Sequence, residues 1–185
     1  RIFPIFAKFK TYFLRMRLWE FCLICSILVG GMALRLAWLD SYTADESVHA
    51  SAGYIHVRFG DFRSNPEHPP LMKILSGLST YSWSRLSGTD IDWDLENPDW
   101  AERVQNGNQM GRWFMIDNRD VLDELVFWSR VPSVFVFLGM AWYVAYLVRS
   151  YASSTETAFL AGGLVFFSVP LLGHSYLVTT DIISS

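Results

Sequence analysis

Three stretches of this chain, 19–39, 131–148 and 158–180, carry almost no charge and are rich in Leu, Val, Phe and Ala. Each approaches the roughly 20 apolar residues that an α-helix needs to cross the hydrocarbon of a bilayer. No other feature limits the fold as strongly, because a segment in lipid must satisfy every backbone N–H and C=O internally, and a single run of this length does so as a helix. Hydrophobic residues make up 51% and aromatics 16% of the 185 residues, more than an ordinary soluble domain carries. The expected fold is an all-α polytopic membrane protein: three or more transmembrane helices and a large external loop bearing amphipathic interfacial helices.

Charge sets the expected topology. Arg1, Lys8, Lys10, Arg15 and Arg17 precede the first block, whereas carboxylates dominate from Asp40 to Glu124. The positive-inside rule then makes 1–17 a cytoplasmic basic N-terminus, 18–39 the first span and 40–126 an external loop. The second span is expected over 127–148, a cytoplasmic turn containing Arg149 over 149–157, and the third span over 158–180, kinked at Pro170. Gly162 and Gly163 are expected to let that span approach a neighbour closely. Residues 181–185 read as the start of a truncated segment, and both ends read as cut. The first block is too long for a signal-peptide core and lacks a small-x-small cleavage site before the acidic loop. Cys22 and Cys25 have C-x-x-C spacing but lie inside that block, where thiols pack as small hydrophobes.

Within the external loop, Leu71, Ile74, Leu75 and Leu78 recur at helical spacing, which predicts a helix over 71–86 lying in the membrane interface. Trp83, Trp93, Trp100 and Trp113 favour the same depth. On this topology Asp45, Glu46, His68, Lys73, Arg130 and Asp181 come from separate parts of the chain and reach one face.

Each of these residues has a chemical reading and a plainer one. Asp45-Glu46 follows Thr43 and reads equally as a capped, acidic helix start. A carboxylate at a lipid–water boundary is also partly desolvated, which suits a general base. In Asn65-Pro66-Glu67-His68-Pro69-Pro70-Leu71-Met72-Lys73 the tandem prolines fix an extended entry to a helix that carries Lys73 in its first turns. The plainer reading is a Pro-punctuated turn with a snorkelling Lys and a structural His. Arg130 is either an interfacial anchor or a planar donor fork for a phosphodiester. Asp181, after a long uncharged stretch, is either a cavity carboxylate or the ion-pair partner of Arg130.

Taken together, Asp45-Glu46 after the first span, Glu67-His68-Pro69-Pro70-Leu71 with Lys73, Ser129-Arg130-x-Pro132, and Gly173-His174-Ser175 followed by Val178-Thr179-Thr180-Asp181 resemble the protein mannosyltransferase-related family of C-type membrane glycosyltransferases, family 39. The likeness runs from about Arg15 onward and is similar in flavour to the N-terminal part of bacterial phospholipid carrier-dependent members. It implies an inverting glycosyltransferase that moves a sugar from a dolichyl- or undecaprenyl-phosphate carrier to an acceptor hydroxyl on a protein or glycolipid. No cofactor, no metal-ligating residue and no nucleic acid are expected, with membrane lipid as partner. The implied place is a bacterial inner membrane, with the site facing the periplasm or cell exterior. By the same likeness Asp45 is the catalytic base with Glu46 supporting it. Arg130, Lys73 and His68 bind the donor phosphate, and Asp181 lines the cavity. Family members often carry Tyr at or near the position of His49.

Two other classes fit parts of the pattern. A transporter also places boundary Asp and Arg beside a Pro-kinked helix, and an inverted repeat of these spans would mark it. A non-catalytic membrane subunit could use the loop for a partner, but leaves no reason for Asp45, Arg130 and Asp181 to share one face.

Overall fold

The computed structural model describes residues 16–93, 107–152 and 154–178. The basic residues before Met16, together with Trp100 and Asp181, lie outside them. The described residues are all-helical: α1 (Leu18–Leu39), α2 (Ala44–Phe59), α3 (Pro70–Ser87), α4 (Gly107–Asp117), a single 3-10 turn (Arg119–Val121), α5 (Leu122–Ala152), α6 (Thr155–Phe166) and α7 (Val169–His174). They form two layers, an apolar bundle of α1, α5 and α6 and a cap of α2, α3 and α4, joined where α3 packs on α5.

By length and composition two helices can cross a bilayer, α1 and the unit formed by α5 with the 3-10 turn before it. The 22 residues of α1 rise about 33 Å, enough for a hydrocarbon core of about 30 Å. Its outward face exposes Leu23, Ile24, Ile27, Leu28 and Met32, and α5 and α6 likewise expose Phe135, Leu160 and Leu164. The inward faces interlock small and aromatic residues: Cys22, Cys25 and Val29 meet Phe137, Ala141 and Ala145 of α5 and Ala158, Phe159 and Phe166 of α6. Cys22 and Cys25 are free and buried in this core.

The second apolar block differs from expectation at its start. Helix α5 begins at Leu122, not near 127, so Pro132 lies inside the helix. Asp123 and Glu124 occupy its first turn, where the positive end of the helix dipole favours carboxylates. Leu125 and Val126 then bury against the cap.

The third block is not one continuous helix. Helix α6 ends at Phe166 after 12 residues, about 18 Å of rise and well short of a bilayer core. Pro170 has no N–H, and its ring would meet the carbonyl four residues earlier, so the helix stops and restarts as the six-residue α7 with Ser168 at its N-cap position. The segment still runs the length of α1. Its first turn shares a cavity lining with Met16, Arg17 and Leu18, and Tyr176 beyond its end hydrogen-bonds Asp40. A Cβ on Gly162 would stand 3.0 Å from the Ala145 Cβ, the close α5–α6 approach expected of that glycine.

In the cap, α2 is enclosed: every residue from Glu46 to His56 is buried. Two glycine contacts allow this. Gly53 on α2 and Gly77 on α3 cross so closely that a Cβ on either would overlap the other helix's backbone, and Gly111 on α4 lies against the Ser47–Val48 backbone. Helix α3 therefore buries Met72, Lys73, Ser76, Gly77, Thr80 and Ser84, while Leu71 and Leu78 face outward. Of the apolar stripe read from the sequence, Leu71 and Leu78 lie on the outside of the fold and Ile74 and Leu75 are half-buried.

Candidate functional site

The sequence Thr43-Ala44-Asp45-Glu46 starts α2 as a capping box. The Thr43 hydroxyl accepts from the Glu46 N–H at 3.3 Å, and the Glu46 carboxylate accepts from the Thr43 N–H at 2.9 Å. This folds the two adjacent acids apart. Glu46 turns inward with 1% of its surface exposed, and Asp45 stays on the solvent side.

Glu46 is then fully occupied. Arg130 donates from Nε to Oε1 at 2.8 Å and from Nη2 to Oε2 at 2.9 Å, and the Val178 N–H donates to Oε1 at 3.1 Å. Burial pushes the carboxyl's pKa up, but the Arg130 hydrogen bonds and charge, with the backbone donors of Thr43 and Val178, outweigh it and hold it below the usual Glu value.

Arg130 is equally committed. Besides the Glu46 fork, Nη1 donates to the carbonyls of Ala37 at 2.9 Å and Asp40 at 2.7 Å, and Nη2 to that of Ser41 at 3.0 Å. A guanidinium has five N–H donors, and here all five are used within the chain. The Tyr176 ring closes over it, with the Arg130 Cζ 5.6 Å from the ring centroid. In this arrangement Arg130 has no N–H to offer a phosphate. Its observed work differs from the phosphate contact expected of it: it ties the last turn of α1 and the two residues that follow it to the first turn of α2.

The second motif lies alongside. Lys73 is 2% exposed, with Nζ donating to the Asn65 carbonyl at 2.5 Å and the Asn65 side-chain oxygen at 3.1 Å. Both acceptors are neutral, and burial lowers the ammonium's pKa. His56, one helical face along α2, is buried nearby and reaches the Ser64 carbonyl at 3.3 Å. Burial is the main reason its pKa lies below the usual His value, and the charge of Lys73 adds to that. His68 is exposed and meets the buried His49 ring edge-on, with centroids 5.1 Å apart.

The structure thus brings Glu46, Arg130, Asp40, Tyr176 and Val178 together at the C-terminal end of α1, with Asp45 on the rim. His49 stands on α2 about one turn on, with His68 against it, and Lys73 is buried on α3, bonded to Asn65. Asp181 is outside the described residues, three positions beyond Val178. Sequence reasoning did not single out Asp40, Tyr176, Asn65 or His56. None of these four had a sequence signal; the inward turn of Glu46 did, in the Thr43-x-x-Glu46 spacing. Among the described residues no three His, Cys, Asp or Glu side chains gather into a metal-ligand set. No family model, curated protein or solved structure matches this chain.

Proposed function

We propose that this chain forms part of a membrane-embedded glycosyltransferase that takes its sugar from a polyprenyl-phosphate carrier at the end of the bundle where α1 meets α2. The observation that carries the reading is the junction at Glu46, which hydrogen-bonds both Arg130, 84 positions away, and Val178, 132 positions away. Three elements that bear the family-like motifs are thereby held at one end of an apolar bundle, beside an exposed carboxylate.

In this reading Asp45 is the base. It accepts the proton of an acceptor hydroxyl as the oxygen bonds to the anomeric carbon. The bond from that carbon to the carrier phosphate breaks with its electron pair on the departing phosphate, and configuration inverts. Glu46 is a positioning residue, since its oxygens are already bonded and its charge is held by Arg130. The departing phosphate needs positive charge and hydrogen-bond donors, and Lys73 and His68 are the groups assigned to it, with Asp181 the further carboxylate that the resemblance implies. The bilayer supplies the carrier, and the acceptor is a protein or glycolipid hydroxyl facing the periplasm or exterior.

The test is reconstitution in liposomes with a radiolabelled polyprenyl-phosphate sugar. Release of polyprenyl phosphate that depends on protein and on Asp45 supports the reading. An intact donor, together with solute counterflow through the same liposomes, would favour a transporter.

A further inference from the structure

At the opposite end of α2 from Asp45, a cavity of about 290 Å³ opens between the last turns of α2 and α3 and the turn that follows α3. Its lining includes Tyr54, Arg58, Ser84, Arg85, Thr89 and Asp90. Two guanidiniums face one carboxylate, so the cavity carries net positive charge. Arg58 is fixed in place: Nη1 donates to the Tyr54 hydroxyl at 2.6 Å and to the Ile91 carbonyl at 3.0 Å. Its Nε–H and Nη2 donors are outside those two bonds. Arg85 forms none of the salt bridges among the described residues.

Apart from Gly88, the rest of the lining is hydroxyl-bearing: Tyr54, Tyr81, Ser84 and Thr89. Tyr54 is 1% and Ser84 5% exposed, so they form a buried floor, where the Ser84 hydroxyl donates to the Tyr81 carbonyl at 3.0 Å and keeps its lone pairs as acceptors, and Thr89 stands at the edge. Tyr54's pKa is pushed up by its burial, which keeps the phenol protonated as a donor. A fixed guanidinium fork suits a phosphate or carboxylate, and a ring of hydroxyls suits a polyol. The volume lies at the lower end of small-molecule pockets, roughly 300 Å³, which fits one sugar ring better than an oligosaccharide.

We propose that this cavity binds a monosaccharide-sized polyol carrying a phosphate or carboxylate. The site is separate from the Asp45 rim and does not depend on the transfer reaction.

Calorimetric titration of the purified protein in detergent tests it, with glucose 1-phosphate, glucuronate, glucose and inorganic phosphate as probes. Saturable binding of the two sugar anions is expected, with glucose and inorganic phosphate weaker by about tenfold or more. Arg85→Gln should weaken the sugar anions by a similar factor at an unchanged unfolding temperature, and Arg85→Lys by less. Thr89→Val should weaken glucose 1-phosphate but not inorganic phosphate. Asp45→Asn should leave every affinity unchanged, which separates this site from the transferase reading. Absence of saturable binding, or sugar-anion affinities indifferent to both Arg85 variants, would overturn the proposal. Inorganic phosphate binding as tightly as glucose 1-phosphate would overturn it too, by removing the polyol.

Discussion

Glu46 and Arg130 are joined by two parallel hydrogen bonds of 2.8 and 2.9 Å, with side chains 2% and 0% exposed. A pair so buried holds its place only while both members are present, since either alone leaves an uncompensated charge. Glu46→Gln is expected to destabilise the protein by about 3–5 kcal/mol. Arg130→Lys should also be costly, because an ammonium has three donors for the five bonds the guanidinium makes. Thermal unfolding in detergent, followed by circular dichroism, checks both. An unchanged unfolding temperature in Glu46→Gln would mean that the pair does not organise the end of α1.

The same pair sets a pH dependence. Glu46's pKa in the folded state is lowered, so its contribution to stability is complete above the unfolded value of about 4.3 and is lost as pH falls below it toward the folded value. Wild type should therefore lose stability between neutral pH and acid more steeply than Glu46→Gln, which has no such group. Unfolding temperatures measured from pH 7 to pH 3 on both proteins would show parallel curves if Glu46 does not contribute.

The glycine crossing of α2 and α3 predicts a sharp contrast between positions. Gly53→Ala and Gly77→Ala each place a methyl group into backbone, and separating the helices should cost about 1–3 kcal/mol or more. Gly139→Ala, where a Cβ meets nothing within 4 Å, should be neutral or slightly stabilising. Equal unfolding temperatures for the three variants would contradict the close crossing.

Asp45 should separate activity from stability. It is exposed, and its side chain enters none of the hydrogen bonds seen among the described residues, so Asp45→Asn should fold as the wild type does. If it is the base, its loss lowers turnover by ~10²–10⁴-fold with donor binding largely kept. Near-normal turnover in folded Asp45→Asn would move the base elsewhere, with Asp181 the next residue to test.

Topology is testable with little background, because Cys22 and Cys25 are buried. A cysteine at Ser87, exposed at the end of α3, should react with an impermeant reagent from the non-cytoplasmic side, and one at Ser150 from the cytoplasmic side. Gly88 is a poorer position, since its φ of 74° disfavours any side chain. Labelling of Ser87→Cys from the cytoplasm alone would invert the orientation assumed for the proposed site.

The helical blocks were legible because long uncharged runs have few ways to satisfy their backbones, and α1 runs as the hydropathy indicates. The limits of the third block were harder to read. Ser168-Val169-Pro170 is a sequence for ending one helix and starting another, yet it is embedded in apolar residues that read as continuous. For α3 the difficulty was inversion. A helix that crosses a neighbour through glycine buries its small and polar side, so Leu71 and Leu78 mark the surface and not the core. At the site, an Asp-Glu dipeptide does not reveal which acid is enclosed. The partner of Glu46 lies on a helix far along the chain, and only packing shows that Arg130's donors are spent inside the protein.

That long separation has a consequence for how the protein is made. At roughly 5–20 residues per second, the 84 positions between Glu46 and Arg130 correspond to about 4–17 s of synthesis. Throughout that interval the nascent chain holds the first turn of α2 with its carboxylate still hydrated or protonated, and α1 with its terminal carbonyls bonded to water. The cap can therefore close onto the bundle only after α5 emerges, and a ribosome stalled before Arg130 leaves a chain whose first apolar helix is complete but whose outer layer has nothing to lock it.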